Sequence, residues 1–228
     1  PDATPDLKEF YHYGPQDWPD DPYFTGPEGS QYFIPNIWPD EPAAFRKASL
    51  AYYAEMERLI HDLGRIAAMA LDLPENWFAD KLDKHVTAIR LNYYPLLADG
   101  PPPGQIRAGE HTDYGFLTIL MGEDEAGGLQ VRTRKGDWID VETRPEFFVI
   151  NIGDLLMRWT NDTWLSNMHR VVNPPENSRP TTSAMQKANP QTPSPLAVRH
   201  GSWHCAHTQT MEAEMAEPTT VEIFTDYV

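Results

Sequence analysis

A chain of 228 residues, of which 40% are hydrophobic, is long enough to form one domain with a sizeable core. Its 34 acidic and 18 basic residues give a net charge of −16, which disfavours binding to nucleic-acid phosphates or to anionic lipid. No apolar run approaches the roughly 18 residues that a membrane span needs. The single cysteine, Cys205, cannot form an internal disulfide, and this favours a cytoplasmic location.

The first 42 residues combine prolines with aromatic side chains, as in the two Trp-Pro-Asp sequences at 18–20 and 38–40. The prolines disfavour a regular helix or a central strand. The aromatic residues argue against disorder, because they provide apolar surface to bury. We therefore predict that residues 1–42 form an ordered but irregular segment that packs on the core.

Residues 43–72 show the clearest helical pattern. Apolar residues recur at intervals of three and four, Pro42 stands where a helix can begin, and Pro74 ends it. We predict one long helix that braces a sheet, within a helical support region that spans residues 43–85. The predicted apolar stripe consists of Phe45, Tyr52, Met56, Leu59, Leu63, Ile66 and Ala70.

From Val86 onward, short β-rich runs alternate with turn residues. This pattern predicts a sandwich or a barrel, so the fold class is mainly β with a long bracing α-helix, and residues 86–228 form the principal domain. After Pro175 such runs become sparse, and residues 183–186 make a poor strand. The predicted strands are residues 86–94, 116–121, 129–131, 138–141, 147–150, 154–158 and 165–172.

Two histidines and one aspartate form a candidate metal site. His111 and Asp113 are two residues apart, so a strand would direct both side chains to one face. His169 lies in a second strand-like run and would provide the third ligand. Two imidazoles and one carboxylate suit non-heme Fe(II) and leave coordination positions open. A His-x-Asp sequence is also common in surface turns, and the apolar run that follows Asp113 is what favours the metal site.

Five ordered motifs resemble the isopenicillin N synthase-like group of 2-oxoglutarate/Fe(II)-dependent dioxygenases. The resemblance implies a double-stranded β-helix, or jelly roll, as the particular β-fold. It also implies that the N-terminal subdomain of that family is absent from this chain. The motifs are NYYP (92–95), HTDYGFLTIL (111–120), GGLQV (127–131), VINIGDLLMRWTND (149–162) and NMHRVVNPP (167–175).

The same resemblance implies that the cofactors are Fe(II) and 2-oxoglutarate. It assigns Asn92 and Tyr94 to binding of 2-oxoglutarate, although a buried Tyr-Asn pair of the barrel wall is the structural alternative. Arg179 and Thr181 resemble the family's Arg-x-Ser sequence, whose arginine binds the far carboxylate of 2-oxoglutarate. An alignment on Ser183 instead would place Thr181 at the arginine position, so Arg179 is a candidate only.

The implied activity is an enzyme, an oxygenase that couples decarboxylation of 2-oxoglutarate to hydroxylation of a small organic substrate, with desaturation or ring closure as related outcomes. The expected partners are that substrate and O2, with neither nucleic acid nor membrane. Two alternatives stay open. One is an isopenicillin N synthase-type oxidase that uses O2 without 2-oxoglutarate. The other is an inactive jelly roll that binds a metal or a ligand.

Overall fold

The regular structure is mainly β. The computed structural model describes residues 5–27, 29–40, 42–95, 97, 100–122, 127–173, 181–188 and 222–223. Its helices are α1 (Pro22–Thr25), α2 (Ala43–Ala70) and α3 (Asp154–Trp159), with short 3-10 turns at Gly29–Gln31 and Ala79–Lys81. Its strands are β1 (Glu9–Tyr13), β2 (Ala88–Tyr94), β3 (Ala108–His111), β4 (Leu117–Gly122), β5 (Leu129–Arg132), β6 (Trp138–Asp140), β7 (Val149–Ile152), β8 (His169–Val171), β9 (Thr181–Ala188) and β10 (Glu222–Ile223).

The described strands form two sheets. The larger has the order β1-β2-β9-β4-β7-β10, and the smaller has the order β3-β8-β5-β6. All pairings are antiparallel except that of β10 with β7. Most neighbours in a sheet are distant in sequence, so the chain crosses repeatedly between the two sheets. This confirms the predicted antiparallel jelly roll with few helices.

Helix α2 packs its buried face into the main hydrophobic core. Its buried positions are spaced by three and four residues, as a helix requires. Gly64 lies on this face, and a Cβ there would be 2.9 Å from Leu82 Cδ1, so the helix approaches closely at that point. The buried face is offset by about one residue from the predicted stripe. Met56 and Leu63 are shared, whereas Tyr53, Ile60 and Ala67 are buried in place of Tyr52, Leu59 and Ile66.

The N-terminal segment contacts the domain through aromatic rings and polar anchors. The Tyr13 ring lies 5.5 Å from that of Trp38 and 6.5 Å from that of Tyr53. Burial raises the pKa of Tyr13 to about 12. The Asn36 side chain accepts a hydrogen bond from Gly14 N and donates one to Gly14 O. Part of the segment is regular, because Glu9–Tyr13 forms an edge strand where we expected irregular structure.

The structure corrects two further strand predictions. Residues 154–158 are helical, because Asp154–Trp159 forms α3. A short apolar run such as this one has no periodicity that separates a buried strand from a buried helix. Residues 183–186 do form a strand, since Thr181–Ala188 pairs with both β2 and β4. No helix in the described residues is long and apolar enough to cross a membrane.

Candidate metal centre

The two histidines of the predicted triad come from paired strands of the smaller sheet. Strand β3 ends on His111, β8 begins on His169, and the two residues are directly opposite each other. The register shifts between Ala108 and His111, because three residue steps on β3 match two on β8. Such a bulge re-aims a side chain. Here it brings the two imidazole rings together, with their centroids 4.3 Å apart.

Asp113 follows β3 and is held by its backbone. Its carbonyl accepts a 2.7 Å hydrogen bond from the backbone N–H of Asp154, the first residue of α3. The Thr112 hydroxyl donates to Asp154 Oδ2 at 3.1 Å. A Cβ at Gly153 would collide with Gly115 O, so only glycine permits this approach. The expectation that Asp113 lies on the strand with His111 is therefore wrong, although both side chains reach the same place.

The three side chains converge on one point. His111 Nε2 lies 3.9 Å from Asp113 Oδ1, and His169 Nε2 lies 3.8 Å from Asp113 Oδ2. One ligand atom from each residue lies within 4.8 Å of the others, which is compatible with a shared ion at bond lengths of about 2 Å. Among the described residues, this is the one group of three or more histidine, cysteine or carboxylate side chains with such geometry.

Backbone carbonyls orient both imidazoles. His111 Nδ1 lies 2.8 Å from Gly109 O, and His169 Nδ1 lies 3.1 Å from Asn167 O. A carbonyl only accepts, so each Nδ1 carries the proton and donates it. In the neutral ring, Nε2 then presents its lone pair to the site, as a metal ligand must.

The carboxylate of Asp113 is fully buried, with 0% of the side chain exposed. Burying an ionised carboxylate is costly unless a cation or hydrogen-bond donors compensate. Two donors are present, the Thr118 hydroxyl and the Asn151 amide. The His111 side chain is 38% exposed, so the site is open on that side. Two neutral imidazoles and one buried carboxylate fit a divalent ion of the Fe(II) type.

Asn92 and Tyr94 lie on β2 and are buried, at 4% and 6% exposure. The buried guanidinium of Arg107 lies over the Tyr94 ring, 5.3 Å from its centroid. Burial lowers the pKa of Arg107, an effect that the nearby Tyr94 opposes. Strand β9 pairs Asn92 with Ser183 and Tyr94 with Thr181. Thr181 thus stands across from Tyr94 in the backbone register.

Arg179 lies outside the described residues, so its assignment to 2-oxoglutarate stays a prediction. Sequence reasoning missed three polar residues near the predicted site residues: the buried Arg107 and Thr118, and the half-buried Asn151. The last two had a visible signal, since each is a single polar residue between apolar neighbours in a buried strand. Arg107 gave no comparable signal, because it lies between the predicted strands 86–94 and 116–121.

A jelly roll with a two-histidine, one-carboxylate site defines the class of non-heme metal oxygenases. The family model of the 2OG-Fe(II) oxygenase superfamily matches residues 86–185. The chain therefore carries a domain that belongs to the 2OG-Fe(II) oxygenase superfamily. Fe(II) and 2-oxoglutarate, which the family description names, are the cofactors of this domain, and the three ligand atoms fit the ion.

Curated relatives and a solved structure agree with this assignment. The chain is 35% identical to the 2-oxoglutarate-Fe(II) type oxidoreductase hxnY of Emericella nidulans, over 75% of this chain and 50% of the relative. It is 32% identical to validamycin A dioxygenase of Streptomyces hygroscopicus subsp. limoneus, over 75% and 47%. A full-length Neurospora crassa protein, solved in complex with alpha-KG and thymine, matches with a TM-score of 0.71 and 35% identity, over 83% and 56%. The chain thus spans about half the length of these proteins.

Proposed function

We propose that the protein is a Fe(II)- and 2-oxoglutarate-dependent oxygenase that hydroxylates a small organic substrate, with desaturation or cyclisation as related outcomes. The convergence of His111, Asp113 and His169 on one point is the observation that carries the proposal. The bound iron would supply O2 activation, with 2-oxoglutarate converted to succinate and CO2. Three protein ligands leave positions for the co-substrate and for O2.

In this proposal the chain itself binds and orients. His111 and His169 present fixed Nε2 lone pairs, and Asp113 supplies the negative ligand. Asn92 and Tyr94 carry donors that suit the carboxylates of 2-oxoglutarate. Their burial supports this role, because donors that are shielded from water interact more strongly with an anion. Arg179 and Thr181 are assigned by resemblance to the far carboxylate.

The proposed partners are a small molecule and O2. The net charge of −16 argues against a nucleic-acid partner, and the single cysteine supports a cytoplasmic location. We assign the oxygenase chemistry to residues 86–228, with residues 43–85 as helical support and residues 1–42 as a covering segment. The neighbour from Neurospora crassa was solved with thymine, which supports a small organic substrate as the class for this chain.

The comparisons favour use of 2-oxoglutarate over the oxidase alternative. The matched family is defined by 2-oxoglutarate and Fe(II), and solved neighbours contain alpha-KG. The inactive-binder alternative gains nothing from the site geometry, because all three ligand side chains are present and converge. Both alternatives make distinct predictions in one experiment.

That experiment loads the purified chain with Fe(II) without oxygen, adds 2-oxoglutarate and O2 with a panel of small substrates, and measures succinate and O2 consumption. The matched control is Asp113→Ala. Succinate formation that requires both iron and 2-oxoglutarate, and is lost in the control, supports the proposal. O2 consumption that is independent of 2-oxoglutarate would favour the oxidase. Iron binding with neither activity would favour the inactive binder.

A further inference from the structure

We propose that Thr118 and Asn151, through hydrogen bonds to Oδ2, hold the Asp113 carboxylate in the orientation in which it meets His111 and His169, and thereby raise the affinity of the site for its metal. The two residues are positioning residues, which act on the metal through Asp113. The inference rests on the proposed function, since it concerns the iron site of that function. It extends the proposed function by naming the groups that orient the negative ligand of the metal site.

Both donors reach the same oxygen. Thr118 Oγ1 donates to Asp113 Oδ2 at 2.6 Å, and Asn151 Nδ2 donates to the same atom at 3.0 Å. A carboxylate oxygen has two lone-pair directions, and two hydrogen bonds occupy them. Hydrogen bonds to a carboxylate are about twice as strong as neutral ones. The two hydrogen bonds therefore fix the orientation of the carboxylate group.

The sheet places the two donors side by side. Thr118 on β4 and Asn151 on β7 are directly opposite in the antiparallel register. Opposite residues in a sheet have Cβ atoms about 4.5–5.5 Å apart and point to the same face. Thr118 is 1% exposed, so its hydroxyl has little access to competing water. The donors thus form a rigid pair beneath one atom of the carboxylate.

The position of the carboxylate is also fixed from its backbone. The Asp113 carbonyl accepts from Asp154 N at 2.7 Å, so main chain and side chain are both anchored. A carboxylate that is held at two points cannot easily rotate away from the two histidines, whose Nε2 atoms lie 3.9 Å from Oδ1 (His111) and 3.8 Å from Oδ2 (His169).

The test measures metal binding apart from catalysis. Mn(II), which needs no anaerobic handling, is titrated into the apo protein, and free Mn(II) is counted by electron paramagnetic resonance. We expect Thr118→Val and Asn151→Leu each to weaken Mn(II) affinity by about 10–100-fold, the usual effect of losing such a partner. Thr118→Ser retains the hydroxyl and should stay within about threefold of the native protein.

Thr87→Val is the matched control. Thr87 is also 1% exposed, and its hydroxyl has no hydrogen-bond partner among the described residues. The same change of hydroxyl to methyl should leave Mn(II) affinity unchanged there. Co(II) absorption spectra supply a second measurement, because visible band intensity reports coordination number. The spectrum of Thr118→Val should differ from the native spectrum, and that of Thr87→Val should not.

The outcomes separate this inference from the proposed function. If the native protein binds no Mn(II) or Fe(II), the proposed function itself is overturned together with this inference. If the native protein binds metal and both Thr118→Val and Asn151→Leu retain its affinity and Co(II) spectrum, only the positioning role is overturned. Apo-protein circular dichroism identifies any misfolded variant. Should Thr118→Val misfold, the test is the comparison of Mn(II) affinity between Asn151→Leu and Thr118→Ser.

Discussion

The two faces of the larger sheet carry opposite chemistry within single strands. On β4, Leu117 and Ile119 are buried in the core that contains helix α2, whereas Thr118 between them donates to Asp113. On β7, Ile150 lies in the same core, and its neighbour Asn151 donates to Asp113. Successive strand residues point to opposite faces, so a side chain in the core and the next side chain along the strand, at the metal site, lie on opposite faces of the sheet.

The difference shows how the site obtains rigid polar groups. The apolar face contributes about 25 cal/mol per Å² of buried surface, and it holds each strand in place. The polar face contributes less to stability, because buried polar groups chiefly need to be hydrogen-bonded. A substitution on the first face should therefore alter the free energy of unfolding. A substitution on the second should alter metal binding.

The sharpest test of the polar face is Asp113→Ala. It removes the negative ligand, so we expect loss of iron binding and of turnover, measured by iron content after gel filtration and by succinate release. Asp140→Ala is the control, because Asp140 is exposed on β6 and contacts Gln130 at the surface. Undiminished iron content in Asp113→Ala would show that the triad is wrongly assigned.

The core that packs against the apolar face of the sheet is tested by Phe78→Ala. Phe78 is 1% exposed, and its ring stacks on Trp159 with centroids 5.8 Å apart. Deleting a buried phenyl ring costs about 3–5 kcal/mol of unfolding free energy, measured by urea denaturation. Mn(II) affinity should remain native in the folded fraction. Ile37→Ala, at a residue 87% exposed, should change stability by less than about 0.5 kcal/mol. A metal affinity that falls with the core substitution would break the distinction between the faces.

Local pattern was enough to predict the long helix, most strands and the fold class. The three-to-four spacing in residues 43–72 predicted α2, which ends two residues earlier, at Ala70. Local pattern failed to predict strand β9, which forms because it pairs with other strands. Thr181–Ala188 is rich in polar residues, yet it lies between β2 and β4, and partners distant in sequence supply its hydrogen bonds. Propensity in strands depends strongly on such context.

The convergence of His111, Asp113 and His169 was predictable because their residue types and spacing carry the chemistry directly. The support around it was not. The bulge before His111 depends on the register with β8, and no feature of the sequence near Ala108 indicates it. The donors to Asp113 depend on the pairing of Thr118 with Asn151, which lie 33 positions apart in the sequence. Long-range register fixes these contacts, and one sequence does not reveal it.

Arg179→Ala tests the binding of the co-substrate and should have an intermediate effect. A charge-assisted hydrogen bond is worth about 1.5–3 kcal/mol, so we expect the apparent KM for 2-oxoglutarate to rise by roughly tenfold or more. Iron binding should not change, because Arg179 is not a ligand. Tyr94→Phe should raise the KM less, since it removes one neutral donor. Succinate release at varied 2-oxoglutarate gives both values.

An Arg179→Ala enzyme with an unchanged KM would place the positive charge elsewhere. Arg107 is then the residue to examine, because its buried guanidinium lies over the Tyr94 ring. Arg107→Gln removes the charge while retaining much of the length. A raised KM in Arg107→Gln together with a native KM in Arg179→Ala would contradict the assignment by resemblance.

The smallest expected effect concerns His85, a titratable group on the helix side of the molecule. It is 8% exposed, its Nε2 lies 3.2 Å from Glu57 Oε1, and its ring lies 6.2 Å from that of His61. Burial lowers the pKa of His85, an effect that His61 reinforces and that Glu57 and Asp83 oppose. The unfolded chain, with a pKa of about 6.5, therefore takes up this proton more readily than the folded one.

As the pH falls below about 6.5, His85 becomes protonated in the unfolded state before it does so in the folded state. The free energy of unfolding therefore decreases with falling pH, and this decrease ends below the pKa of His85 in the folded state. One proton contributes a slope of at most about 1.4 kcal/mol per pH unit.

We expect His85→Asn to flatten the dependence of unfolding free energy on pH between about 6.5 and 5, measured by urea denaturation of the metal-free protein. The triad histidines are present in both proteins, so their titration cancels in the comparison. Parallel curves for the two proteins would show that His85 does not titrate differently on folding. A steeper curve for the variant would show that the Glu57 contact outweighs burial.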